Sequence, residues 1–476
     1  MIVVLGIGGT HLSGFQMSVI NYTSPYIQKF INETWLERYG SALPQETLML
    51  LWSFIVSMYC IGGMVGCLCS GYLTATFGKK KCLLFNDVVL IVAVLHTGFS
   101  RRAKAFEMIL VGRFLEGIAA GIHMNAHVQY AGEISPKKLR GFINVTSTVF
   151  LALGKTVARI LGLRELLGSQ ALWPVLMASC GLPALVQLLT LPFFPESPPY
   201  LLMHKGDQEG CKKAIRQLWG EGQHQAEIDD IMKEKAAMKN TKILSVLELV
   251  KEPAFRWQLY MIIILTATIQ LCGINAIYLY TFEVLQAAGF DERMASYMTL
   301  SIGLSELVAA VVCSSIIERL GRKVLLRGGY WIMASLLAAI TVTLTLQVRK
   351  FCSHLVLIVL FSIVFAVGPG KFSIKGNEGI ESGELISRVT EILPFIDMLI
   401  LLSFSLCSFL QERLKHFCFL IFMVVLFTSG MIIHLFLPET KGKSIMEITE
   451  EFNKLNFKSK SIPATSNHVI EDYTFC

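Results

Sequence analysis

Apolar residues in this chain come in runs of about 20, separated by short polar breaks. The runs fall near 1 to 23, 48 to 76, 82 to 99, 107 to 130, 142 to 163 and 171 to 194. After a polar stretch from 195 to 256 they resume near 257 to 282, 295 to 317, 324 to 347, 353 to 370, 393 to 410 and 417 to 437. A bilayer core of about 30 Å takes roughly 20 apolar residues per helix. The pattern therefore predicts an all-α membrane protein with twelve transmembrane helices. Met1 opens directly into the first run with no charged leader, which reads as a first helix rather than a signal peptide.

Composition agrees: 53% of residues are hydrophobic, 16% are charged, and the mean hydropathy is +0.57. A soluble domain with that balance would need a larger core than single domains grow. The formal charge of +7 is distributed by side. With the N-terminus inside, the inner loops and tail hold 27 Lys and Arg against 11 in the outer loops. That bias sets both termini in the cytoplasm and marks a topology signal, with no nucleic acid partner implied. The twelve cysteines lie mostly inside apolar runs, so no disulfide framework is expected. Asn32-Glu33-Thr34, in the first outer segment, matches a glycosylation sequon.

The chain also repeats itself. FGKKK at 77 to 81 follows the second run and LGRKV at 320 to 324 follows the eighth; Gly78 and Gly321 are 243 residues apart. PES at 195 to 197 closes the sixth run and PET at 438 to 440 closes the twelfth; Pro195 and Pro438 are also 243 apart. Two motifs sharing one offset argue for a duplicated six-helix unit. Such a pair of halves, with substrate held between them near the midplane, is a transporter architecture. The expected division is an N-terminal half at 1 to 194, a cytoplasmic helical linker at 195 to 256, a C-terminal half at 257 to 437 and a cytoplasmic tail at 438 to 476.

AGEISPKKLRG at 131 to 141 is the sharpest polar interruption. Glu133 ends one helix, Pro136 stops it, and Arg140 starts the next. Comparable charges recur at Lys79, Lys80, Arg113 and Glu196, and at Glu318, Arg319, Arg322, Lys323 and Glu439. Together they are expected to form a cytoplasmic ion-pair layer, or gate, that closes the inner side and breaks when the protein opens inward.

GRF at 112 to 114, E-x-x-P-x-x-x-R-G from Glu133 to Gly141, PESP at 195 to 198, QLCGINAIYLY at 270 to 280, ERLGRK at 318 to 323 and PETKGK at 438 to 443 resemble the facilitative hexose transporters, the sugar porters of the major facilitator superfamily. The likeness runs through nearly the whole chain. QLCGINAIY and LGLRELLG at 161 to 168 are most similar to class II members and their type eleven branch. The resemblance implies a hexose, glucose or fructose, as substrate, a plasma-membrane location, no cofactor and no enzymatic chemistry. It also implies that Gln270 and Asn275 contact sugar through their amides. Each hydroxyl stripped of water and left unsatisfied costs about 1 to 3 kcal/mol, and an amide offers both donor and acceptor.

Gln16 stands where proton-coupled sugar symporters of this family carry an Asp. An amide carries no proton, so passive uniport by alternating access is the expected mode. Thr148 stands at the family's sugar-binding Gln, and Glu306 at an Asn position across the interface. Lys155 and Arg159 follow Thr148 by 7 and 11 residues, which at about 100° per residue puts all three on one stripe. Cations facing the path admit a second expectation, transport of an anion such as urate. His123 and His127, four apart, make a poor metal pair without a third ligand. The segment 371 to 391, with Glu384, is too polar for the family's tenth helix. That departure raises a third expectation, a transport-dead relative or splice form that senses ligand. Pro199 is a smaller departure, standing where the family usually has Arg.

Overall fold

The structure is a computed structural model. It describes residues 1–136, 140–220, 256–274, 291–320, 322–345, 351–368 and 417–437, with isolated residues at 222, 228, 229, 232 and 277. The last-mentioned runs carry the second set of helices, and the proposed eleventh span, the 371 to 391 segment, Asn275 and Glu439 lie outside the described residues.

Every described element is helical. The first set comprises α1 (Ile2–Gly8), α2 (Thr10–Tyr39), α3 (Gln45–Phe77), α4 (Lys79–Phe99), α5 (Glu107–Glu133) and α6 (Arg140–Leu161). It ends with α7 (Trp173–Ala178), α8 (Gly181–Thr190) and a 3-10 turn at Leu191–Phe193. Two short helices follow, α9 (Pro198–Met203) and α10 (Gln208–Trp219). The second set is α11 (Arg256–Gln270), α12 (Glu292–Leu320), α13 (Arg322–Thr345), α14 (Phe351–Val367) and α15 (Cys418–Phe436). Seven described helical stretches are long and apolar enough to cross a membrane. α5 and α6, at 27 and 22 residues, match them in length but carry charges along their middles.

Large apolar side chains such as Leu50, Tyr72, Leu182 and Leu435 point outward. That is the surface a lipid-solvated bundle presents, since a helix pairs its backbone polar groups internally and can turn apolar side chains to lipid. Two buried clusters fill the first set, one around Phe30, Ile31, Trp173 and Met177 and one around Leu5, Tyr130 and Leu191. A third, around Tyr330, Phe361, Phe419 and Phe422, fills the second set.

Among the described residues helix boundaries follow the apolar runs, except that the first run is interrupted at Gly9, the sixth at Ser179 and Cys180, and two runs differ in extent. The first run continues as helix to Tyr39, sixteen residues beyond the expected end at 23, because Ile27, Phe30 and Ile31 of this stretch are buried against the α7 side. The sequon is therefore helical, with Asn32 half-buried and Thr34 buried, rather than in a loop. In the seventh run the helix breaks over residues 271 to 273, where Gly273 has φ +83°.

α3 and α4 are joined by Gly78 alone, at φ +90°, which is the conformational reason for the glycine of the FGKKK motif. α3 and α5 pack backbone to backbone. A Cβ on Gly62 would strike the Phe114 carbonyl, and one on Gly117 the Tyr59 carbonyl. Small residues are how membrane helices reach such separations.

Candidate functional site

Three polar clusters stand out against the apolar helices. The first joins the two sets of helices along the α6 and α12 contact. Lys155 Nζ donates to Glu306 Oε1 at 2.9 Å, and Arg159 Nη1 lies 3.8 Å from Glu306 Oε2. Arg159 and Glu306 are buried, Lys155 nearly so, and Thr156 Oγ1 donates to the Gly303 carbonyl at 3.3 Å beside them. Thr148 is buried two turns along the same stripe of α6. The stripe read from spacing is thus a physical face of α6, and Glu306 is the acid that meets it.

Where α6 runs out and α12 begins, Arg293 Nε donates to Glu165 at 2.7 Å, a second tie between the same elements. Glu165's own backbone N–H, and then the Arg293 charge, hold its carboxyl below the usual range. At the same end Arg38 and Lys104 pair with Glu107 and Glu37, tying α2 to the start of α5.

The second cluster lies inside the first set. Arg113 Nη1 donates to Gln16 Oε1 at 2.9 Å and to Glu116 Oε2 at 3.1 Å, and its guanidinium sits 4.4 Å from the Tyr59 ring centroid. Glu116 also accepts from Thr97 Oγ1 at 3.3 Å, and Gln16 Nε2 donates to Cys180 Sγ at 2.6 Å. Gln16, Arg113 and Glu116 are all buried. Further along α5, His123 Nε2 faces Asp87 Oδ1 at 3.1 Å, and the Thr10 N–H donates to His127 Nδ1 at 3.3 Å. Asp87 supplies the carboxylate neighbour that spacing alone did not reveal for His123, but no group of three metal ligands exists among the described residues.

The third cluster closes the opposite end of the first set. Lys79 Nζ pairs with Glu133 at 2.6 Å, and Ser197 Oγ donates to the other Glu133 oxygen. Glu196 accepts from the Lys80 N–H at 3.0 Å, capping the start of α4 with a carboxylate where the helix dipole favours one. Trp219 Nε1 of α10 donates to the Ile134 carbonyl at 2.9 Å, docking α10 on the end of α5. Lys79, Lys80, Glu133 and Glu196 therefore come together. Arg113 does not join them: it is twenty residues from Glu133 on one continuous helix, about 30 Å away. The grouping by motif placed it at the wrong end because GRF opens α5 while Glu133 closes it. Lys323 is half-buried at the start of α13; the side chains of Arg140, Glu318, Arg319 and Arg322 lie outside the described residues. Gln270 ends α11 half-buried.

Asp87 and Glu116 escaped the reading of motifs, although an acid inside an apolar run is itself a signal. Glu165 and Arg293 gave no local signal, because their pairing depends on which helices abut.

Residues 1–452 match the model of the Sugar (and other) transporter family. The chain belongs to the sugar transporter family. It is 40% identical to human solute carrier family 2, facilitated glucose transporter member 11, over 96% of this chain and 93% of that one. It is 38% identical to mouse member 9, over 94% and 84%, and 37% identical to sheep member 5, over 95% and 91%. These members agree with the class II, type eleven resemblance. In fold, this sugar transporter superimposes on the proton:xylose symporter XylE bound to 6-bromo-6-deoxy-D-glucose with TM-score 0.76 at 20% identity, covering 95% of this chain and 98% of that one. The inward open xylose transporter XylE from E. coli gives 0.73 at 19%, covering 94% and 98%. The protein is thus a multi-pass membrane transporter with the major facilitator sugar-transporter fold, and not an enzyme.

Proposed function

We propose that this transporter is a facilitative hexose uniporter of the plasma membrane, carrying glucose or fructose by alternating access without a cofactor. The observation that carries the reading is the whole-chain match to facilitated glucose transporters. The passive mode is supported by Gln16, an amide bound to Arg113. On this reading twelve spans form halves at 1 to 194 and 257 to 437, a cytoplasmic linker with α9 and α10 joins them, and both termini are cytoplasmic. Gln16, Thr148, Gln270, Asn275 and Glu306 border the sugar path. Lys79, Lys80, Glu133, Arg140 and Glu196 form the inner gate with Glu318, Arg319, Arg322, Lys323 and Glu439. Asn32 is the glycosylation site.

The test is counterflow of labelled glucose or fructose in proteoliposomes. Saturation and competition by unlabelled hexose are expected. Uptake that rises linearly and ignores competing sugar would remove the reading, and ligand-induced thermal stabilisation with no flux would mark a sensor instead.

Partly buried Lys155 and buried Arg159 beside Glu306 support a second reading, a path for an organic anion such as urate. Urate competing with hexose in the native protein but not in Lys155→Ala would favour it.

A further inference from the structure

The first membrane helix is interrupted at a single residue: α1 ends at Gly8, α2 starts at Thr10, and Gly9 lies between them. In an unbroken helix the Thr10 N–H would bond the Gly6 carbonyl, and the Gly8 carbonyl would accept from the Leu12 N–H. Here the Thr10 N–H donates instead to His127 Nδ1 of α5 at 3.3 Å, and the Leu12 N–H turns to the Gly9 carbonyl at 3.1 Å. The Gly8 carbonyl accepts from the Gln187 side chain of α8 at 2.8 Å, in the amide orientation that also gives Asp87 Oδ1 a donor at 3.0 Å. Asp87 in turn faces His123 Nε2 at 3.1 Å, one helical turn from His127 on α5. Both broken ends are thus closed by buried side chains from other helices, which is how backbone groups freed at a helix break are satisfied inside a bilayer. The two glycines admit them. A Cβ on Gly8 would strike Gln187, and one on Gly9 would strike His127.

The two sides of the break are held differently. α2 meets α6 backbone to backbone, since a Cβ on Gly14 would strike the Leu151 carbonyl and one on Gly154 the His11 carbonyl. α1 is held by side chains: the Phe150 ring lies over Gly6, and Leu5 packs among Tyr130, Ile134 and Leu191. These partners sit at the end of the first set where Lys79 pairs with Glu133. A segment joined to a locked helix through one glycine, and gripped by side chains alone, is built as a hinge. We infer that Gly8-Gly9 is a hinge in the first membrane helix, that α1 swings on it, and that His127 and Gln187 form the clamp that sets its position. Both are positioning residues, acting on sugar movement through α1. The part α1 plays in transport rests on the alternating-access reading above.

The test follows α1 in the full-length protein in nanodiscs. Genetically encoded spin labels replace Val3 on α1 and Tyr72 on α3, both exposed, and double electron–electron resonance measures their separation. A second pair, at Met17 on α2 and Tyr72, reports the body of the helix beyond the break. In the native protein the Val3–Tyr72 distance should fall into two populations whose ratio shifts on adding hexose, while the Met17–Tyr72 distance gives one. His127→Leu keeps the bulk and removes the acceptor. It should move the Val3–Tyr72 ratio roughly three- to tenfold toward the swung form, the worth of one hydrogen bond, and leave Met17–Tyr72 unchanged. Hexose counterflow should fall in step. His127→Asn, whose Oδ1 takes the Thr10 N–H, should restore both the ratio and the flux.

An unchanged Val3–Tyr72 ratio in His127→Leu overturns the inference. So does equal broadening of both distances, which would mean that packing as a whole has loosened, and so does a ratio that ignores hexose in a protein that transports it. If His127→Leu does not fold, Gln187→Leu with the same labels decides, with the same shift expected and the same unchanged ratio refuting it. Absence of hexose counterflow in the native protein instead defeats the alternating-access reading, and the response of the Val3–Tyr72 distance to His127→Leu then decides the hinge on its own.

Discussion

The contact between Lys155 and Glu306 can be tested by a double-mutant cycle whose terms follow from the geometry. Glu306→Gln leaves two cations, Lys155 at 2.9 Å and Arg159 at 3.8 Å, facing a neutral amide. Removing one partner of a buried ion pair costs about 3 to 5 kcal/mol. Lys155→Ala is gentler, since Arg159 stays within reach of the carboxylate, and the expected loss is about 1 to 3 kcal/mol. The double variant should be less impaired than Glu306→Gln alone, with a coupling of about 1 to 3 kcal/mol. It should not return to the native level, because Arg159 keeps its charge opposite the introduced amide. Thermal melting in detergent measures the stability terms. Counterflow measures the conformational ones: if the pair forms in only one of the alternating states, about 3 kcal/mol becomes a population shift on the order of 100-fold. Single-variant losses that sum to the double-variant loss in both assays would refute the pairing between α6 and α12.

The Glu165 and Arg293 tie is exposed, so Arg293→Ala should weaken closure at that end without harming folding, read as faster labelling of a cysteine placed in the vestibule beside it. The Glu165 carboxyl is held low, so this tie is complete above the ordinary carboxylate range and should be lost as the pH on that side falls below it, with labelling speeding up over the same acidic window and not near neutrality. Gly117→Val should abolish properly folded protein, measured by size-exclusion of a fluorescent fusion, because its side chain meets the backbone of α3; a normal monodisperse peak would contradict the packing. Asp207→Ala removes the cap of α10, where Asp207 Oδ1 accepts from the Gly210 N–H at 2.8 Å, and should cost about 1 kcal/mol locally, seen as faster proteolysis after residue 207 with flux retained.

What could be read before any coordinates was set by the bilayer. A span must be about 20 residues long and internally hydrogen-bonded, so α3, α4, α5 and α6 begin and end within three residues of the apolar runs. The α6 stripe was equally legible, because helical rotation converts the spacing of Thr148, Lys155 and Arg159 directly into a face. The continuation of α2 to Tyr39 was hidden, because it depends on apolar residues finding α7. Arg113 was misplaced for a related reason. A motif gives the identity of a charge and its run, but its depth depends on direction along the helix, and its partner Glu116 lies one turn further on the same helix.

The glycine contact between α3 and α5 has a mechanical consequence. At Gly62, Gly66, Gly117 and Gly121 a carbonyl of the facing helix lies where a side chain would be, so along this stretch the two helices interlock backbone to backbone and resist sliding. The α6 and α12 seam is a different kind of joint: long lysine and arginine side chains reach across it to Glu306, and a single hydroxyl, that of Thr156, bonds the Gly303 carbonyl beside them. On the alternating-access reading proposed above, the seam bears the motion while α3 and α5 move together as one unit.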